Sequence, residues 1–272
     1  MEGRAAGASE GLVLLLFVDL DPDLAALRPL GGFFVLRTAR PAAEAAGAAG
    51  TGPLPTLAKA YEKAISDVHR DVITFRVETV GRRLRVPEPR VAASVAQQAL
   101  AARLWSVALG CAARYGRLPD LDPRLLRWDA RAAAPDDLWL TEVRPLPGGA
   151  GPAALAEAVV HGHLEPLAEA LRARYGVAAG LLWGNAGSAL AAAARELDRW
   201  ARTRGEPEAA RRTRALTAAL FAHPRLSATG TRTGPAFRRR SCCLYYRVPN
   251  GGICGDCCFT QPPRSSPRAA SG

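Results

Sequence analysis

Residues 90–114 read RVAASVAQQALAARLWSVALGCAAR, and this stretch predicts a long helix. Pro87 and Pro89 precede it and Gly116 follows it, and such residues are typical of helix boundaries. Cys111 lies inside the helix and is predicted to be a core residue, because free cysteine is often buried. The side expected to face the core carries Val91, Val95, Ala99, Ala102, Leu104, Val107 and Ala108.

The sequence around this helix predicts a body that is mainly α with a few short β-strands, an α+β arrangement. Apolar periodicity and end signals predict further helices over 57–69, 152–161, 165–175, 178–203 and 206–221. Alternating residues predict a strand over 72–79, although a helix is the open alternative there. Short apolar blocks predict an antiparallel pair from 12–18 and 33–36, and a hairpin from 125–129 and 138–143.

Composition divides the chain into three parts. Residues 1–230 are expected to form the helical body, with 39–55 as a flexible linker or insertion because that stretch is mostly Ala, Gly and Pro. Residues 231–260 form a small cysteine-rich segment, and residues 261–272 are expected to be a disordered tail because they lack large apolar side chains.

Length and composition exclude some classes of protein. With 272 residues, of which 49% are hydrophobic, the chain can bury a substantial core, so disorder of the whole chain is excluded. The longest apolar run, 12–18, is too short to cross a bilayer and resembles no secretory signal, so a cytoplasmic location is expected.

The charge is basic and uneven. The 36 basic residues exceed the 25 acidic ones, and seven arginines against one acid lie between residue 231 and the C-terminus. Such an end suits an anionic partner: an acidic redox protein, an acidic ligand, a membrane surface or nucleic acid. Solubility and biased coding composition explain the excess equally well.

Five of the six cysteines lie within residues 242–258. They are Cys242 and Cys243, then Cys254 after ten residues, Cys257 after two more, and Cys258. A disulfide scaffold would spread its cysteines along the chain, so metal or cluster ligation is the better interpretation. The turn-forming residues 249–252 can bring the two halves of this set together.

The spacing favours a [2Fe-2S] cluster over zinc. Structural zinc usually takes two separated knuckles, and adjacent cysteines make a poor knuckle because successive side chains point apart. A two-iron cluster is larger and tolerates such ligands. Zinc and a disulfide stay open as alternatives at this point.

The segment CCLYYRVPNGGICGDCC resembles the C-terminal [2Fe-2S] motif of FhuF-type ferric siderophore reductases, C-C-x10-C-x2-C. The upstream stretches 102–122, 126–129 and 181–190 are also similar to that family's preceding domain, so the resemblance covers most of the chain. It implies that the cluster and metal ligands are Cys242, Cys243, Cys254 and Cys257. Cys258 and the Ala-rich stretch near residue 45 depart from the family pattern.

The resemblance implies an iron–sulfur oxidoreductase that passes one electron to a ferric siderophore, with hydroxamate as the expected class, and releases Fe(II). No side chain is expected to act as a catalytic acid, base or nucleophile. The chain has no G-x-G-x-x-G after a strand, so a separate electron-donor protein is implied. No nucleic-acid partner is expected, and peripheral contact with a membrane is left open.

Two other functions compete with this interpretation. An iron- or redox-sensing regulator would use the arginines to bind nucleic acid, but no helix-turn-helix signature is evident in the sequence. A plain electron carrier would need no ligand cavity, so a cavity in the helical body would count against it.

Two further features of the sequence are candidate sites. His161 and His163 are two apart and lack the i, i+4 geometry of helical metal sites, so no metal is expected there. Residues 183–185, Trp-Gly-Asn, either line a ligand cavity or form a helix bend. His69 and His223 are expected to be surface or capping residues.

Overall fold

A computed structural model describes residues 22–38, 54–62 and 71–263, and most of these residues are helical. The helices are α1 Leu57–Tyr61, α2 Val72–Leu84, α3 Pro89–Tyr115, α4 Pro152–Leu155, α5 Glu165–Tyr175, α6 Ala179–Thr203, α7 Pro207–Phe221 and α8 Pro224–Ser227. The strands are β1 Arg37–Thr38, β2 Leu126–Trp128, β3 Leu138–Leu140, β4 Gly230–Thr233 and β5 Ala236–Arg239. The predicted helical body with a few short strands is confirmed.

The predicted central helix is confirmed as α3, which ends at Gly116 in a left-handed conformation. Helices α2, α6 and α7 pack around it. Every residue from 103 to 113 is buried, including Cys111, as predicted. Val95, Ala99 and Ala102 are only half-buried, so those three were wrongly assigned to the inner side. A helix enclosed on most sides has no single apolar stripe, and periodicity then fails to separate its faces.

The hairpin predicted from 125–129 and 138–143 is confirmed. Strands β2 and β3 pair antiparallel, with Leu126 opposite Leu140 and Trp128 opposite Leu138. Strand β1 adds to the other side of β3 in parallel, with Arg37 beside Trp139. The sheet therefore has the order β1-β3-β2.

A buried ion pair attaches this sheet to the central helix. Arg103 of α3 donates from Nε to Asp137 Oδ1 at 3.0 Å, and both side chains are almost fully buried. Its Nη1 donates to the backbone oxygens of Gly32 and Phe33, each at 2.7 Å. One guanidinium thus fixes the N-terminal segment and the start of β3 against α3.

Several predicted elements differ from the structure. The strand expected over 33–36 is wrong, because Gly32–Phe34 forms a 3₁₀ turn and the strand follows it. The strand expected over 72–79 is also wrong, and the alternative helix is present as α2. Asp71 explains this outcome, because its carboxylate accepts from Thr74 N at 3.0 Å and caps the helix. Ile73 and Val77, four residues apart, face the core.

The remaining helix predictions hold with adjusted limits. The helix predicted over 57–69 ends at Tyr61, because Glu62 has an extended conformation, and residues 63–70 lie outside the described part. The helix predicted over 152–161 continues as a π-helical segment, Ala156–Leu164, into α5. The predictions on 12–18, on 39–53, on His69 and on 264–272 also fall outside the described residues.

Replacing Arg103 by leucine should lower the free energy of unfolding by about 3–5 kcal/mol, because it leaves the Asp137 carboxylate buried and unpaired. Urea denaturation followed by circular dichroism measures this change. The matched control is Arg199→Leu, since Arg199 and Glu196 form an exposed pair on α6 and such pairs contribute within about 1 kcal/mol. Equal effects of the two substitutions would contradict the role assigned to Arg103.

Candidate iron–sulfur site

The hairpin β4–β5 begins the cysteine-rich segment and packs on α6. Gly187 of α6 permits this approach, because a Cβ at that position would lie 2.5 Å from Thr229 Oγ1 and 3.2 Å from Phe237 Cζ. Gly184, one turn earlier, faces Ser241 in the same way, with 2.2 Å between its Cβ position and Ser241 Oγ. Small residues on one face of α6 therefore bring the hairpin close to the body.

A chain of buried hydrogen bonds fixes the cysteine segment on α3 and α6. Asn185 Nδ2 donates to the backbone oxygen and to Oγ of Ser94, each at 3.0 Å. Ser94 Oγ in turn donates to the backbone oxygen of Cys243 at 2.7 Å. Arg239 Nη1 donates to Asn185 Oδ1. These contacts set the position of Cys243 relative to both helices.

Asp256, which lies between Cys254 and Cys257 in the chain, provides a second attachment of the cysteine segment to the body. Its backbone oxygen accepts from Arg239 N at 3.0 Å. Its carboxylate accepts from Ser188 Oγ at 2.5 Å and forms an ion pair with Arg195 at 3.2 Å. The loop that carries Cys254 and Cys257 is thus held to α6 and to β5.

The turn predicted at residues 249–252 is present. Gly251 N donates to Val248 O at 2.8 Å, and Asn250 and Gly252 both have positive φ, which asparagine and glycine tolerate best. As a result Cys243 Sγ and Cys254 Sγ lie 3.5 Å apart.

Two backbone N–H groups point to cysteine sulfurs. Leu244 N donates to Cys242 Sγ at 3.3 Å, and Phe259 N donates to Cys257 Sγ at 3.4 Å. Hydrogen bonds of this kind are among the features by which proteins tune iron–sulfur clusters. Burial raises the pKa of Cys242 to about 11, and the Leu244 N–H opposes that rise.

Cys243 and Cys254 form a hydrogen bond between their sulfurs, 3.5 Å apart. This hydrogen bond lowers the pKa of Cys243, and the charge of Arg239 lowers it further. The same hydrogen bond and burial raise the pKa of Cys254. The contact therefore shifts the two pKa values in opposite directions.

Cys258 follows Cys257 at the end of a turn. In this turn Cys257 N donates to Cys254 O at 3.1 Å. Burial raises the pKa of Cys258, and the neighbouring Cys257 raises it further. The segment that leads into Cys257 and Cys258 is therefore a turn and not an extended strand.

The donor set fits an iron–sulfur cluster better than a single metal ion. All five cysteines of the segment are free thiols. Within residues 22–38, 54–62 and 71–263, no three or more His, Cys, Asp or Glu side chains are grouped tightly enough to hold one ion. A two-iron cluster needs sulfur ligands spread over a larger site, and cysteine thiolates are its usual ligands.

The three histidines of the described ranges make their contacts with groups other than the cysteines. His163 is fully buried, where Tyr61 Oη contacts its Nδ1 at 2.9 Å and its Nε2 donates to Leu121 O at 2.6 Å. Burial lowers the pKa of His163 to about 4, so the ring is neutral. His161 is exposed and contacts Glu165 at 2.9 Å. His223 caps α8, as expected of a capping residue.

Sequence reasoning missed most of the residues that support the cysteines. Asn185 was weighed only as a cavity or bend residue, whereas its side chain joins α6, α3 and β5. Nothing in the sequence around Ser94 and Asp256, beyond their residue types, indicates that they contact the cysteine segment. Arg239 was one of several arginines near the cysteines, and its burial was not foreseen.

Free cysteines gathered on a helical body are typical of iron–sulfur and zinc proteins, and comparison with known families specifies which kind. Residues 239–259 match the FhuF 2Fe-2S C-terminal domain. Residues 97–240 match the family described as ferric iron reductase FhuF-like transporter. The chain therefore belongs to the FhuF family of ferric siderophore reductases, and its cofactor is a [2Fe-2S] cluster.

A search of curated proteins finds no match to the chain. Within the residues that the structure describes, no helix combines the length and the apolar character that crossing a membrane requires.

Replacing Gly187 by alanine should loosen the hairpin and reduce the cluster content, because the new Cβ displaces Thr229 and the Phe237 ring. Crowding of this kind costs roughly 1–3 kcal/mol. The measurements are iron and acid-labile sulfide per chain and the thermal midpoint. The control is Gly180→Ala on the same helix, where a Cβ meets open space and alanine favours the helix. Unchanged cluster content in Gly187→Ala would show that the close approach is dispensable.

Proposed function

We propose that the protein reduces Fe(III)–siderophore complexes of the hydroxamate class, with Cys242, Cys243, Cys254 and Cys257 as cluster ligands and a separate protein as electron donor. The observation that carries this proposal is the meeting of the two cysteine pairs on the helical body, where Cys243 Sγ lies 3.5 Å from Cys254 Sγ. When bound, a [2Fe-2S] cluster supplies one-electron chemistry.

The chemistry of the substrate explains why one electron is enough. Hydroxamate oxygens are hard donors that hold Fe(III) tightly, whereas Fe(II) is a softer ion of lower charge that they hold poorly. The electron donor loses one electron and the siderophore-bound iron gains it. No bond to the protein forms or breaks. No side chain therefore has to act as acid, base or nucleophile.

The site is enclosed on the body side and open on the other. Cys243 is buried, while Cys242, Cys254 and Cys257 are half-buried. Beside them Ile253 and Phe259 are exposed, at 41% and 39%. Such a site can exchange electrons with partners that approach from solvent, while Ser94 and Asn185 hold its inner wall.

A groove in the helical body favours a reductase with a bound substrate over a plain carrier. The groove has a volume of about 340 Å³ and lies between α2 and the start of α3. Pro87, Pro89 and Ala92 form its wall at the start of α3. Arg247 of the cysteine segment donates to Glu88 at 2.7 Å, next to the start of this wall. We propose that the ferric complex binds along this side.

The basic surface supports a protein donor of acidic character. Arg238, Arg240 and Arg247 are exposed around the cysteine segment. Surfaces of opposite charge accelerate encounter and fix orientation, which suits a transient redox pair.

The proposal is tested anaerobically with the cluster-loaded protein. The protein is reduced with dithionite, freed of excess reductant and mixed with a ferric trihydroxamate in the presence of an Fe(II) chelator. Re-oxidation of the cluster with release of a stoichiometric amount of Fe(II) is expected. A ferric tricatecholate serves as the comparison substrate, and equal reduction of both would contradict the hydroxamate assignment. NADPH added without a donor protein should leave the cluster oxidised.

Replacing Cys243 by serine should abolish the visible absorption of the cluster and nearly all bound iron and sulfide. The helical circular dichroism should persist, because α3 and its partners have their own core. The control is Cys111→Ala, which removes the buried cysteine of α3 and should retain the cluster, since Cys111 lies in the core away from the sulfur site. A full complement of iron in Cys243→Ser, or its loss in Cys111→Ala, would contradict the ligand assignment.

Replacing Cys258 by alanine should leave the iron content and the spectrum nearly unchanged, because the C-x2-C spacing makes Cys257 the proposed ligand. Cys257→Ala is the matched variant and should lose the cluster, unless the nearby Cys258 thiol takes its place. Electronic and electron paramagnetic resonance spectra of both variants separate these cases. Loss of the cluster in Cys258→Ala with retention in Cys257→Ala would make Cys258 the ligand.

A further inference from the structure

Arg239, the last residue of β5, has an unusual environment. Its side chain is 3% exposed, and its Nη1 donates to Asn185 Oδ1. Its Nε and Nη2 are buried and have no hydrogen-bond partner in the described part of the chain. Proteins seldom leave buried donors without a partner, so this guanidinium calls for an explanation.

No carboxylate of the described residues forms an ion pair with Arg239. Asp256 is adjacent, because its backbone oxygen accepts from Arg239 N at 3.0 Å. Its carboxylate instead contacts Ser188 and Arg195. A buried positive charge without a counter-charge is strongly disfavoured, so an anionic group beside Arg239 would relieve the cost.

Arg239 contacts the residues that hold the cysteines in place. Its backbone N donates to the oxygen of Asp256, which lies between Cys254 and Cys257 in the chain. Its guanidinium donates to Asn185, which holds Ser94 against the backbone oxygen of Cys243. Arg239 also lies only three residues before Cys242 in the chain. The buried cation is therefore close to the sulfur atoms that become negative when they bind iron.

We propose that Arg239 is the buried counter-cation of the cysteine-bound cluster and that it raises the reduction potential by favouring the more negative, reduced state. The inference rests on the cysteine ligands proposed above. The positive charge acts at short range in a site where solvent screens it little, so it favours the added electron. Arg239 is thus a positioning residue that acts on the cluster through its charge.

The experiment measures the midpoint potential of the purified, cluster-loaded protein by spectroelectrochemical titration at fixed pH and ionic strength. Arg239→Gln removes the charge and keeps donors that can reach Asn185. We expect its equilibrium constant for reduction to fall about tenfold, which corresponds to about 59 mV for a one-electron couple. Arg239→Lys keeps the charge and should restore most of the potential.

The control is Arg240→Gln, which removes the same charge from an exposed neighbour. Its effect should be much smaller, because water and salt screen exposed charges. An unchanged potential in a fully loaded Arg239→Gln protein would overturn the proposal, as would equal shifts in the two glutamine variants. A merely structural role would change stability without this difference in potential.

The outcome is also decisive if Arg239→Gln fails to retain the cluster. Retention by Arg239→Lys would then show that the positive charge is required, whereas loss in both variants would show that only the shape of arginine matters and would overturn the proposal. Failure of the ligand assignment itself is distinguishable, because it appears as a cluster retained in Cys243→Ser.

Discussion

The side-chain amide of Asn185 is the interaction on which the iron–sulfur site depends. It lies fully buried on α6, donates to Ser94 on α3 and accepts from Arg239 on β5. A buried amide must satisfy its donors and acceptor together, so the three elements are restricted to one relative placement. That placement also fixes the position of Cys243, because Ser94 Oγ donates to its backbone oxygen.

The approach of the hairpin to α6 is the complementary constraint. Gly184 and Gly187 lie one helical turn apart and present no side chain where Ser241, Thr229 and Phe237 arrive. Close packing on glycine excludes water from the polar contacts of Asn185 and Arg239, and the lower local dielectric strengthens them. The electrostatic environment of the sulfurs is thus a product of backbone proximity as much as of charged residues.

Much of the fold could be predicted from the sequence, because local signals and the final structure agree. The central helix, the hairpin β2–β3 and the later helices carry clear end signals, and the cysteine spacing indicated the cofactor. The strand expected over 72–79 was wrong because alternating β-branched residues masked the capping role of Asp71. The 3₁₀ turn Gly32–Phe34 depends on Arg103, a partner about 70 residues away.

Of the candidate site, only the proposed ligands could be predicted from the sequence. Cysteine spacing is a local property, so the proposed four could be read directly from residues 242–257. Ser94, Asn185 and Arg239 act through contacts between residues far apart in the chain, and no local pattern distinguishes a buried arginine from its exposed neighbours. The turn between Cys254 and Cys257 likewise depends on how the loop docks through Asp256.

The position of the cysteines after the helical body has a consequence for biosynthesis. Domains generally fold from the N-terminal side while the chain is being made. Ser94 and Asn185 are therefore synthesised, and their helices can pack, before Cys242 leaves the ribosome. The surface on which the cysteine segment docks is therefore made before the segment itself, so the body can be folded when the thiols emerge.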